Sequence, residues 1–125
     1  MQNKILIVDD DELILDCFER LLARQFNVET AIGPYAALEA IAARGPYAVL
    51  LSDLRMPGMS GLQLIEKAKE LSPNIVGIVL SGNAPTADFE GGMVYRVLDK
   101  PCSPALLADT LIEALSHHNK LCGNS

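Results

Sequence analysis

The sequence is short of basic residues, of paired cysteines and of long apolar runs, and each shortage narrows what the chain can do. Ten Lys and Arg stand against sixteen Asp and Glu, a formal net charge of −6. A phosphate backbone is gripped by clustered Lys and Arg, so direct binding of nucleic acid is not expected. Cys17, Cys102 and Cys122 are odd in number, widely spaced and without a zinc-like pairing. They read as free thiols of a cytosolic protein. The apolar run Ile5 to Val8 is too short for a signal-peptide core, and no other run could span a bilayer. The chain is therefore expected to be cytoplasmic, with no membrane partner. Internal repeats and low-complexity tracts are absent.

What is there is an ordinary globular balance: 125 residues, 50% hydrophobic and 21% charged. That length is one domain, and it buries roughly two thirds of its unfolded surface without staples. Residues 1–118 are read as the domain and 119–125 as a tail, frayed or the start of a linker. Apolar runs alternate with amphipathic stretches. Ile5-Leu6-Ile7-Val8 is a short run ending at Asp9. Leu13, Ile14, Cys17, Phe18, Leu21 and Leu22 follow with the spacing of one helix face. Asn27 to Ala31 alternates like a strand with one wet side, and Gly33-Pro34 opens a second helix that ends near Gly45-Pro46. Ala48 to Leu51 is a third strand, running out at Ser52-Asp53. Pro57-Gly58-Met59-Ser60-Gly61 leads into a third helix, closed by Ser72-Pro73. Ile75 to Leu80 and Val94 to Leu98 complete five strands, and Pro104 to about His117 is the final helix.

Strands alternating with helices of this length imply right-handed crossovers and a parallel sheet. Runs one, three and four are nearly all apolar, as strands covered on both faces must be. The second alternates and the fifth carries Arg96, which suits the edges. The expected fold is α/β, a flavodoxin-like, doubly wound five-stranded parallel sheet of order 2-1-3-4-5.

Ligands of such sheets bind beyond the carboxyl ends of the strands, where the strand order reverses. Asp9 and Asp10 follow the first strand, Asp53 the third, Ser81 the fourth and Lys100 the fifth. Each has a bland explanation when taken alone, as a cap, a turn or a solvated side chain. Asp11 and Glu12 are assigned to capping and the helix dipole. The other five should share one cleft. Two unit charges ~4 Å apart cost roughly 4 kcal/mol at an effective dielectric of ~20. A divalent cation removes that penalty, and an all-oxygen, partly hydrated site suits Mg²⁺. Positioning and charge neutralisation around an in-line attack is the general design for phosphoryl transfer. Asp53 is the natural nucleophile, since carboxylates form acyl phosphates, and Lys100 can pair with a phosphoryl oxygen.

Val8-Asp9-Asp10, Leu51 to Gly61, Leu80-Ser81-Gly82 and Lys100-Pro101 together closely resemble the response-regulator receiver family of two-component systems, from about Lys4 to His117. The resemblance implies that Asp53 accepts a phosphoryl group from a histidine kinase or phosphotransfer protein. It implies that Asp9, Asp10, Asp53 and the backbone carbonyl of Arg55 hold the metal, Asp10 being the more direct ligand of the first pair. Ser81 would be the switch hydroxyl, Lys100 the phosphoryl contact, and Gly82 the small residue leaving room for the group. Arg55 and Asn83 would line the mouth and tune hydrolysis. The Lys100-Pro101 bond would be cis, which proline makes affordable at about 0.5–1 kcal/mol. Such a chain is a phosphoacceptor that catalyses its own phosphotransfer and slow self-dephosphorylation rather than an enzyme. It would switch conformation and signal to an output domain or partner protein outside this chain; homodimerisation stays open.

Two departures from the family pattern bear on output. Val97 stands where the family often has a Tyr or Phe three residues before the lysine; Tyr95, two positions earlier, is expected on Val97's face of the strand. Ser81 to Lys100 is nineteen positions, about one helical turn short. The stretch Ala84 to Gly92 also contains proline and two glycines, poor helix formers. A fourth helix of one or two turns, or an irregular loop, is expected there, and signalling by another or remodelled face. Val94 to Cys102 is similar to receivers that precede cyclic-dinucleotide phosphodiesterase domains; the chain is read as a stand-alone receiver or a piece of something longer.

An FMN carrier of the same fold would want Ser, Thr and Gly in the first loop, where this chain has Asp9-Asp10-Asp11-Glu12. An aspartyl phosphatase would want an acid two residues after its nucleophile, where this chain has Arg55. A receiver-like interaction module that is never phosphorylated is the alternative kept open.

Overall fold

The computed structural model describes residues 3–82, 94–100 and 103–123. Its strands are β1 (Lys4–Asp9), β2 (Asn27–Ile32), β3 (Val49–Asp53), β4 (Val76–Ser81) and β5 (Val94–Asp99). Its helices are α1 (Glu12–Leu22), α2 (Pro34–Arg44), α3 (Gly61–Leu71) and α4 (Pro104–Leu121). Neighbouring strands pair parallel in the order β2-β1-β3-β4-β5, the flavodoxin-like arrangement expected from the apolar patterning.

Alternation along the strands splits the core into two layers. Ile5, Ile7, Val49, Leu51, Ile78 and Leu80 point to one side, where Leu15 and Leu22 of α1 and Leu107, Leu111 and Ala114 of α4 meet them. Leu6, Val8, Leu50 and Val79 point to the other, against Ala37, Ala40 and Ile41 of α2 and Leu64, Ile65 and Ala68 of α3. Each fully buried Leu or Ile contributes about 1.5–3 kcal/mol, so the sheet is fixed from both faces and its strand ends are rigid platforms.

Helix starts are set by side chains. Asp11 caps α1, its Oδ1 accepting from the backbone N–H of Leu13 at 2.9 Å. Ser60 and Gln63 form a reciprocal capping box at the start of α3. The Ser103 hydroxyl accepts from the N–H of Leu106, with Pro104 opening α4. Gly33 takes φ +85° to turn the chain into Pro34 of α2, and its N–H donates to the Asp9 carbonyl at 2.9 Å. One cis peptide bond is described, Gly45–Pro46.

Three expectations change or fall outside the structure. First, Tyr95 does not share Val97's face. Gly77 pairs with Val94 and Ile78 with Arg96, which leaves Tyr95 as the extra residue of a bulge. Val97 pairs with Val79 of the α2–α3 side. Tyr95 packs on the α1–α4 side, stacked on His117 of α4 with ring centroids 4.8 Å apart. Second, α4 continues four residues beyond His117, so Asn119, Lys120 and Leu121 are helical rather than part of a frayed tail. Contacts hold that last turn: the His118 ring meets the Asn74 carbonyl at 2.7 Å, and Asn3 donates to the Asn119 side chain at 3.2 Å. Third, the segment Ala84 to Gly92, where a short helix or irregular loop is expected, lies outside the described residues, as do Asn83 and Pro101 with the expected cis bond.

Candidate functional site

Parallel register brings the ends of β1, β3, β4 and β5 to one edge of the sheet. Val8 is paired with Ser52, Asp53 with Leu80, and Ser81 with Asp99, so the residues that close each strand lie side by side. Asp9 closes β1, Asp53 closes β3 and Ser81 closes β4, while Lys100 directly follows β5. Backbone bonds lock these ends together: Leu54 N–H to Leu80 carbonyl and Lys100 N–H to Ser81 carbonyl, both 2.9 Å.

Carboxylate oxygens of Asp9, Asp10 and Asp53 all lie within 4.8 Å of one another. Their settings differ. Asp9 is only 2% exposed and Asp10 is exposed, with Asp53 between. Burial pushes the Asp9 carboxyl above the ordinary carboxylate range. The backbone N–H of Asp11, 2.9 Å from Asp9 Oδ1, pulls the other way; Asp10 and Asp53 add to the rise, and Lys100 opposes it. Lys100 Nζ forms an ion pair with Asp53 Oδ1.

In front of Asp53 opens a cleft of about 440 Å³ lined by Asp53, Leu54, Arg55, Ser81, Gly82 and Lys100. A Cβ at Gly82 would meet nothing within 4 Å, so the glycine borders open space rather than a wall. Arg55 stands exposed at the mouth. All six candidate residues thus meet at one edge: Asp9, Asp10 and Asp53 as the acid cluster, Arg55, Ser81 and Lys100 around the cleft. An all-carboxylate donor set at this spacing fits a hard divalent cation.

Two positions to which the sequence alone assigns no site role set Asp53 in place. Ser52 is fully buried, and its hydroxyl donates to the Asp53 carbonyl at 2.9 Å. Gly61 opens α3 against the same strand end, its N–H donating to the Leu54 carbonyl at 2.8 Å. The signal for Ser52 is its polarity beside the apolar run Val49-Leu50-Leu51; Gly61 shows only as a helix start and as the close of the family-like stretch Leu51 to Gly61.

Parallel strands of order 2-1-3-4-5 with an acid cluster and a lysine at their carboxyl ends define a phosphoacceptor signalling module. The sequence matches the response regulator receiver domain family over residues 5–112, and the chain belongs to that family. It is a receiver domain of the two-component response-regulator type. It is 35% identical over 118 residues to the hydrogenase transcriptional regulatory protein HoxA of Cupriavidus necator, covering 91% of this chain and 24% of that protein. The chain therefore spans about a quarter of that relative's length. Among solved structures, a chain described as adenylate cyclase from Rhodopirellula baltica superposes with TM-score 0.93 at 34% identity, covering 98% of this chain and 94% of that one. The signal receiver domain of an HD domain-containing protein from Pseudomonas fluorescens Pf-5 gives TM-score 0.88 at 27% identity, covering 96% and 99%. Among the described residues, no helix is long and apolar enough to cross a membrane.

Proposed function

We propose that the Asp53 carboxylate accepts a phosphoryl group from a histidine kinase or phosphotransfer protein, and that this phosphorylation switches the domain for an output domain or partner outside the chain. One observation carries the reading: three carboxylates crowd within 4.8 Å while the cation of Lys100 sits on Asp53 at the edge of an open cleft. Asp9, Asp10, Asp53 and the Arg55 backbone carbonyl would hold Mg²⁺, which when bound neutralises charge on the acids and on the phosphoryl oxygens.

The chain's own residues do the rest. An Asp53 oxygen forms the new bond to phosphorus as the bond to the donor's leaving group breaks in line. Lys100, already paired with Asp53, can turn its ammonium to a phosphoryl oxygen as negative charge accumulates there. Ser81, at the end of β4, offers a hydroxyl to another phosphoryl oxygen, and the open space beside Gly82 admits the group. This is self-catalysed transfer: the donor supplies the group and the receiver supplies the charge arrangement. Arg55, exposed at the mouth, would govern how readily water reaches the acyl phosphate, a role that family resemblance also gives Asn83. A cytoplasmic setting agrees with a kinase donor.

Acetyl phosphate with Mg²⁺ tests the reading by intact-mass measurement. The expected result is one phosphoryl mass on the wild type and none on Asp53→Asn. No gain on the wild type, or equal gain on the variant, overturns it.

A further inference from the structure

A second constellation lies at the opposite edge of the sheet, where Asn74 precedes β4 and α4 ends. Cys122, the exposed C-cap of α4, has its Sγ 3.4 Å from His118 Nε2, one helical turn back. His118 Nδ1 lies 2.7 Å from the Asn74 carbonyl. A carbonyl only accepts, so Nδ1 carries the proton and Nε2 presents its lone pair to the thiol. The Asn74 side-chain amide donates to the same sulfur at 3.5 Å. Nucleophile, base and a third group orienting the base are the parts that activate a thiol, and here an N–H donor also faces the sulfur.

We propose that Cys122 is a reactive thiol with His118 as its base, and that it forms mixed disulfides reversibly with low-molecular-weight disulfides. With Nδ1 protonated and Nε2 facing the thiol, the pair works by proton transfer during attack. His118 Nε2 takes the thiol proton as Sγ bonds to one sulfur of the incoming disulfide; the old S–S bond breaks, and the departing thiolate takes that proton from His118. The product holds one half of the reagent on Cys122 and releases the other half as a thiol. A bulky adduct displaces the sulfur from Asn74 and His118, the contacts that tie the end of α4 to the start of β4, and so gives a redox input far from Asp53.

Cys17 supplies the internal comparison: it is exposed on α1 and no base is described beside it. The 125-residue protein is treated with oxidised glutathione, and adducts on the two cysteines are quantified separately by peptide mass mapping. Cys122 is expected to react about tenfold or more faster than Cys17 in the folded protein, a modest share of what general bases deliver. That excess should vanish in urea, and His118→Gln should bring Cys122 down to the Cys17 rate. Folded rates within about twofold of each other, or an excess that persists in urea or in a folded His118→Gln variant, would overturn the assignment.

Discussion

At Asp9 a carboxylate is held almost entirely out of water with two others nearby, and burial raises its proton affinity. The folded state therefore binds this proton more tightly than the unfolded chain. By linkage, the stability contributed by Asp9 is fully present below its unfolded pKa and lost as pH rises through the folded one. At neutral pH its charge is a cost of the apo fold. Asp9→Asn keeps an oxygen for the Asp11 N–H and removes that charge. The variant should be more stable than wild type at neutral pH in EDTA by about 1 kcal/mol, a rise in Tm of roughly 4 °C. Its advantage should shrink as pH falls into the carboxylate range, and it should lose most of the stabilisation by Mg²⁺. Thermal melts at several pH values, with EDTA and with Mg²⁺, read all three. A variant less stable than wild type at neutral pH would mean that the acid cluster is not a strained element of the apo fold.

Elements position that cluster, and α3 does so by direct contact. A Cβ at Gly61 would stand 2.5 Å from the Asp53 carbonyl oxygen and 3.2 Å from Leu54 Cα, backbone atoms that cannot swing away. Gly61→Ala must push the start of α3 off the end of β3. The cost should be about 1–3 kcal/mol in chemical denaturation, with severalfold slower labelling of Asp53 by acetyl phosphate. Gly82→Ala is the counterpart: its Cβ meets nothing within 4 Å, and stability should stay within about 0.5 kcal/mol. Equal stability for the two variants would show that α3 does not bear on Asp53. Such contacts mark the limit of what sequence makes visible. Periodicity revealed the sheet and its order because burial on one or two faces writes itself into alternation, and strand-end acids were visible because topology fixes where strand ends lie. Tyr95 was misplaced because one bulge residue reverses the alternation behind it. The end of α4 was missed because Asn74 and Asn3, distant in sequence, hold its last turn. Gly61 looked like any helix opener because its crowding belongs to β3 rather than to its own neighbours.

For the molecule as a whole, the two core layers and the acid edge pull in opposite directions, and one cation should reconcile them. The strands carrying Asp9 and Asp53 are clamped between α1–α4 and α2–α3, so the carboxylates cannot separate to relieve their repulsion. The unfolded chain lets them part. A divalent ion that binds the native cluster and not the unfolded chain stabilises by mass action, about 2.7 kcal/mol at one hundred times its Kd. For a domain of this size that is a Tm rise of roughly 10 °C. Sodium chloride at matched ionic strength screens the cluster without bridging it and should give a much smaller shift. Beryllofluoride, a phosphoryl mimic, should add a further rise in the presence of Mg²⁺ as it meets Asp53, Lys100 and Ser81. Asp53→Asn should lose that second increment. If Mg²⁺ gave no more than matched sodium chloride, or beryllofluoride stabilised the variant as much as the wild type, the acid edge would not be the centre through which this domain senses phosphorylation.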